Sequence, residues 1–199
     1  MRFNKTDLLD LYEVQKKSVS YIAKKYCCSQ TGINYWLKKY EINKRSVSEA
    51  IYILKNPGGD PFSFQKPKNT ARSFLLGLGL GLYWGEGNKK NKYSVRLGNS
   101  DPNLILKFIE FLEKIFNIQK TKLRFALQLF NDINPQEAVT FWQKVLHANE
   151  DQFYKVIVST VRGPGTYKNK SQYGVLTIHF SNKKLRDLIC NEIENLKKI

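Results

Sequence analysis

Apolar residues recur along this chain with two different periods, and the places where the period changes mark out the elements. Over residues 6–46 they come three or four apart in three short groups: Leu8, Leu11 and Tyr12; Ile22, Ala23 and Tyr26; Ile33, Trp36 and Leu37. Each group predicts a short amphipathic helix, and Ser29 is placed to cap the third. After Ile53 the pattern stops at KNPGGDP (55–61) and KPK (66–68), which predicts a basic linker over 55–70. Beyond it, Val95 and Leu97 alternate with Ser94 and Arg96, predicting a half-buried strand over 93–99. Asp101-Pro102 then opens a helix with Leu104, Phe108, Phe111, Leu112 and Ile115 inward. A clearer strand follows over 122–130, where Leu123, Phe125, Leu127 and Leu129 alternate with Lys122, Arg124, Ala126 and Gln128. Pro135 starts a helix with Ala138, Phe141, Trp142 and Val145 inward. Residues 153–161 and 173–180 predict a pair of strands around a long basic turn, and 182–196 predict a closing helix.

The run GLGLGLYWGEG (77–87) fits neither period cleanly. It has the length of a helix, yet each interior glycine costs about 1 kcal/mol relative to alanine. Gly77, Gly81 and Gly85 recur at i, i+4 and i+8, so they form one groove without side chains, along which a second helix backbone can approach closely. Glu86 follows at the C-terminal end of that groove. If the second helix is a copy of the first, two carboxylates come side by side, a donor set suited to a divalent metal. No register of the run gives the G-x-x-x-x-G-K-[ST] phosphate loop or the G-x-G-x-x-G dinucleotide turn. The uncharged stretch 74–85 is also well short of the roughly 20 residues a membrane span needs. A buried core helix rich in small residues is the plainer alternative.

Charge adds a partner to this picture. Lys and Arg number 33 against 17 Asp and Glu, a formal charge of +16, which favours a polyanion such as nucleic acid. An anionic membrane is disfavoured because the charge is spread along the chain, with no long basic amphipathic helix. Cys27, Cys28 and Cys190 are odd in number, and two of them are adjacent, which predicts reduced structural cysteines. With only His147 and His179 available, no zinc-ligand spacing exists. The start MRFNK lacks the apolar core of a secretory signal, so a cytoplasmic location is expected.

The nine residues from Gly79 to Gly87 resemble the signature of the LAGLIDADG homing endonucleases. Gly81, Leu82 and Gly87 match it, Gly85 stands for the small alanine, and Glu86 stands for the metal-binding aspartate. Gly79, Leu80, Tyr83 and Trp84 depart from it. The resemblance implies a class α+β domain of αββαββα plan over 71–199, an antiparallel sheet with helices on one face. It also implies that the acid of each of two motif helices binds the catalytic metal, Mg²⁺ or another divalent cation, with the helices forming the subunit interface. One motif per chain implies a homodimer on a roughly palindromic site of double-stranded DNA. A basic residue assists hydrolysis in that family, and Lys183 and Lys170 are the candidates.

Residues 1–54 look like a small all-α helix-turn-helix DNA-binding domain. On its third helix Gln30, Thr31, Asn34, Tyr35 and Lys38 lie opposite the apolar stripe, offering amides and hydroxyls to base edges and a cation to phosphate. A solvated polar face is the bland reading. The open sheet face is expected to present Arg96, Lys122, Arg124, Gln128 and Lys155 to the major groove, with Arg162, Lys168 and Lys170 in the basic turn gripping the backbone. Two other functions remain open. A non-catalytic transcriptional regulator can combine a worn LAGLIDADG-like domain with a helix-turn-helix, and an RNA maturase is the third reading.

Overall fold

A computed structural model of the protein describes residues 3–160 and 171–198 and divides into two units, one through Pro61 and one from Phe62 onward. In the first unit, α1 (Lys5–Leu9) runs into a π-helical turn, Asp10–Val14, followed by α2 (Val19–Lys25), α3 (Gln30–Lys39) and α4 (Val47–Lys55). Each α-helix starts on a side-chain cap: Asn4, Ser18, Ser29 and Ser46 accept from the backbone N–H groups of their first turns. The apolar groups at 8–12, 22–23 and 33–37 meet in one core, closed by Phe3 and Ile42. Tyr26 and Trp36 are only partly buried and pack edge-on against Phe3. Arg45 stacks on Tyr12 and donates to the carbonyls of Tyr12, Lys16 and Lys17, satisfying backbone groups left over where the π-turn ends. The helix α4 has no counterpart in the sequence expectation. Its Val47, Ile51 and Leu54 recur at helical spacing, but they are 78%, 48% and 79% exposed.

The second unit contains α5 (Thr70–Glu86), β1 (Val95–Asn99), α6 (Pro102–Phe116), β2 (Arg124–Phe130), α7 (Pro135–Leu146), β3 (Ile157–Ser159), β4 (Val175–Phe180) and α8 (Lys183–Leu196). It is an α+β unit around a four-stranded sheet of order β1-β4-β2-β3. Inward residues alternate along the strands as the pattern predicts: Val95 and Leu97; Phe125, Leu127 and Leu129; Leu176, Ile178 and Phe180 are all buried. α6 seals that face with seven buried residues, Ile105 to Phe116, and α5 lies against α6, α8 and β1. Trp142 of α7 is fully buried, and its indole N–H donates to Tyr173 O at 2.8 Å. Phe62 and Phe64 pack on this unit, and Ser63 and Gln65 donate to Phe116 O and Ile115 O, so residues 62–65 of the stretch expected as linker are held by backbone bonds.

Three expectations about the sheet are corrected. Of the two segments expected as a pair of strands, the described residues 153–160 and 173–180 do not pair with each other: β4 lies between β1 and β2, antiparallel to both, while β3 runs parallel to β2 at the edge. The sheet is therefore mixed rather than antiparallel. Burial explains the placement, because the inward residues of β4 are sealed whereas Ile157 and Val158 are 56% and 50% exposed, which only an edge position allows. Second, Lys122 ends a 3₁₀ turn, Lys120–Lys122, and the strand begins at Arg124. Third, the early strand is β1 alone, extended by one rung where Gly87 bridges Leu97 and Asn88 N donates to Arg96 O at 2.8 Å.

Gly79 shows how tightly α5 is seated. A Cβ at this position would lie 2.1 Å from Phe111 Cγ. Gly79→Ala should therefore destabilise the chain by about 2–3 kcal/mol despite alanine's better helix propensity, as overpacking of a filled core does. Urea unfolding followed by circular dichroism checks this, and an unchanged midpoint would mean that Phe111 moves aside freely.

Candidate nucleic-acid interface and the glycine face

The buried side of α5 carries Leu75, Gly79, Leu80 and Tyr83. With about 100° per residue, Gly77, Gly81 and Gly85 lie on the opposite side, joined by Phe74 and Leu78. All three glycines are exposed, and a Cβ added to any of them would meet nothing within 4 Å. Phe74 is 71% exposed, and Trp84, at the flank, 48%. From Phe74 to Gly85 the helix thus presents an apolar, side-chain-poor face about 17 Å long that the described residues leave open.

Glu86 ends the helix and is exposed. Its position is fixed by its neighbours. Gly87 N donates back to Tyr83 O at 2.9 Å, and a Cβ on Gly87 would lie 2.3 Å from that oxygen, so only glycine fits. The bridge from Gly87 to Leu97 then ties the helix end to β1. Past it, Arg186 of α8 donates to Asn91 O and Lys89 O, and the Asn91 side chain accepts from Tyr93 N, Ser94 N and Ser94 Oγ. Arg186 and Lys183 also hold Asp187 at 3.0 and 3.1 Å. Burial pushes that carboxyl up, but the Lys183 and Arg186 hydrogen bonds outweigh it and hold it below its ordinary range. Lys183 is thereby engaged on its own helix. Lys170, Arg162 and Lys168 lie outside the described residues. Among the described residues no group of three His, Cys, Asp or Glu side chains is gathered to hold a metal.

The open sheet face is built in rows. Arg96, His179 and Arg124 stand opposite one another on β1, β4 and β2, and Gly98, Thr177 and Ala126 form the next row. Arg96 Nε donates to Ser94 Oγ at 2.8 Å, and Arg124 folds back onto the carbonyls of Thr121 and Leu123. Gln128, exposed, reaches Ser159 Oγ at 3.3 Å. Lys122 and Lys155 are exposed beside this face, on the turn before β2 and the extended segment before β3. His179 was not among the expected residues. The alternation in 173–180 puts it on the same side as Thr177, but only the strand order sets it between two arginines, with the Tyr154 ring edge-on at 5.4 Å.

Burial, and then the Arg96 guanidinium, pushes the His179 imidazole below its ordinary value. The unfolded chain then binds more protons than the folded one in the interval below about pH 6.5. Stability from this group is complete above that value and is lost as pH falls through the lowered folded one. We expect unfolding free energy to climb as pH rises toward about 6.5, and the climb to shrink in His179→Gln. Equal slopes in the two proteins would assign the titration elsewhere.

On α3, Gln30, Thr31, Tyr35 and Lys38 are exposed and Asn34 is half-buried. Thr31, Tyr35 and Lys38 lie on the side away from the buried Ile33 and Leu37, whereas Gln30 and Asn34, each one turn before one of those two, lie nearer to them than the expected face places them. Among the described residues no helix is long and apolar enough to cross a membrane. Set against models of protein families, curated proteins and solved structures, the chain matches none of them.

Proposed function

We infer that two copies of this chain meet through the glycine face of α5 and act together as a metal-dependent, sequence-specific DNA endonuclease of the LAGLIDADG homing type. The observation that carries this reading is the open stripe Gly77, Gly81 and Gly85, with apolar Phe74 and Leu78 beside it, followed one residue later, and about 100° around the helix, by the exposed carboxylate of Glu86 at a helix end that Gly87 ties to β1. An isolated soluble helix gains nothing from such a stripe, since each exposed glycine costs about 1 kcal/mol, whereas two facing stripes let backbones approach.

The order of elements supports the same reading. α5, β1, α6, β2, β4 and α8 follow the αββαββα plan, with the first strand reduced to one rung and with α7 and β3 inserted before β4. Each copy contributes one Glu86, and the two carboxylates would hold the divalent cation between them. Such a cation, when bound, polarises the scissile phosphodiester and makes water a better nucleophile. The chain's own part is to place Glu86 by way of Gly87 and β1, and to set the Arg96–His179–Arg124 row and Gln128 against the duplex. The α3 face of the first unit reads a further stretch of groove, and a flexible segment between recognition modules adds avidity.

The test uses a duplex enriched from a random library by binding to the protein, then cloned into a supercoiled plasmid. Linearisation with Mg²⁺ and none with EDTA is the expected result. Tight binding without any nicking would make the protein the non-catalytic regulator instead.

A further inference from the structure

We propose that the first unit holds a binding site for a small amphipathic anion, an aromatic or acyl acid with a hydrogen-bonding group beside it, seated between α4 and the start of α2. A cleft of about 770 Å³ lies there, within the size range of small-molecule sites. One wall is apolar and otherwise unexplained: α4 buries none of its residues in its own unit, and Val47, Ile51 and Leu54 all face this space. The other wall is cationic. Lys16, Lys17, Lys44 and Arg45 line it, and among the described residues no carboxylate does. Arg45 is committed to three carbonyls, which leaves the three lysines facing the space. Among the lining residues, Asn34 has a side-chain oxygen that is buried without a hydrogen-bond partner. A buried amide oxygen left this way keeps its desolvation cost, which a ligand's donor would offset. Apolar wall, cations without counter-charge and an unsatisfied amide together specify an apolar body, an acid group and a donor.

Gln30 and Asn34 line this cleft and also belong to the α3 face assigned to DNA, so an occupant would compete with the duplex. That consequence, unlike the site itself, rests on the nucleic-acid reading above.

The experiment titrates the full chain with 8-anilinonaphthalene-1-sulfonate, which carries an apolar ring system, an anion and an N–H donor, and follows its fluorescence. Saturation at one site is expected, weakened about tenfold or more in both Ile51→Glu and Lys44→Glu. Both positions are exposed, so unchanged circular dichroism and melting should accompany the loss. The uncharged analogue N-phenyl-1-naphthylamine should bind about tenfold more weakly. An unchanged titration in both variants, or equal affinity for the two probes, overturns the site. With the enriched duplex, saturating probe should raise the Kd for DNA, and an indifferent Kd overturns the competition. If no duplex binds at all, the nuclease reading fails while the titration still decides the site. If Ile51→Glu weakens the duplex and leaves the probe curve unchanged, the cleft takes a DNA strand and the proposal is wrong.

Discussion

Gly81→Leu should make the single chain more stable and the pair much weaker. The position is helical and exposed, and a new side chain there meets nothing within 4 Å of its Cβ. Leucine's higher helix propensity is then worth about 0.8 kcal/mol to the isolated subunit. In a pair joined along this face the same side chain occupies the space where the other backbone must lie. Separating the two backbones forfeits packing along the whole stripe, so the dissociation constant should rise by about 100-fold or more, roughly 3 kcal/mol. Cleavage should fall with it, because two Glu86 residues no longer meet. Opposite signs for monomer stability and association are the signature. A face that is simply wet gives the stability gain alone, and a fall in monomer stability would mean that the space is not open. Gly79 supplies the internal contrast, since its missing Cβ is filled by Phe111 within the same chain.

Glu86→Gln has the largest expected effect on activity. The change removes a charge and keeps the shape, at an exposed site whose neighbours bond through their backbones. Metal-assisted hydrolysis depends on charge stabilisation at the scissile phosphate. The rate should fall by about 10³-fold or more, roughly 4 kcal/mol of transition-state stabilisation. Binding of the enriched duplex, which the proposed reading assigns to Arg96, Arg124, Gln128 and the α3 face, should change little. Equal loss of binding and cleavage would give Glu86 a structural role. Undiminished cleavage would move the metal to other residues.

Periodic burial is what could be read from the chain before its fold was known. The inward residues of α6 and β2 were legible because each element is sealed on one side only, so its pattern repeats the geometry of helix or strand. Ser29 was legible as a cap for a local reason: its hydroxyl accepts from Gly32 N, three residues on. Pairing was not legible. Nothing in residues 153–161 says that Ile157 pairs parallel with Gln128 while β4 takes the other side of β2, next to β1, since strand order depends on which apolar face competes best for the centre of the sheet. His179 was hidden for that reason, its neighbours lying 83 and 55 residues away in sequence, at Arg96 and Arg124. α4 was hidden for another: its apolar residues fill no core, and the KNPGGDP break that follows drew the boundary toward it. The glycine run shows both halves. Spacing put Gly77, Gly81 and Gly85 on one face, but only the packed helix shows that Gly79 points the other way, into Phe111.

Sedimentation equilibrium of the unaltered chain tests the pairing on which the nuclease reading depends. The account predicts a species of twice the 23.2 kDa chain mass that falls to one chain mass in Gly81→Leu. A single-chain mass for the unaltered protein at concentrations of about 10 μM, or a dimer that ignores leucine at position 81, would contradict it.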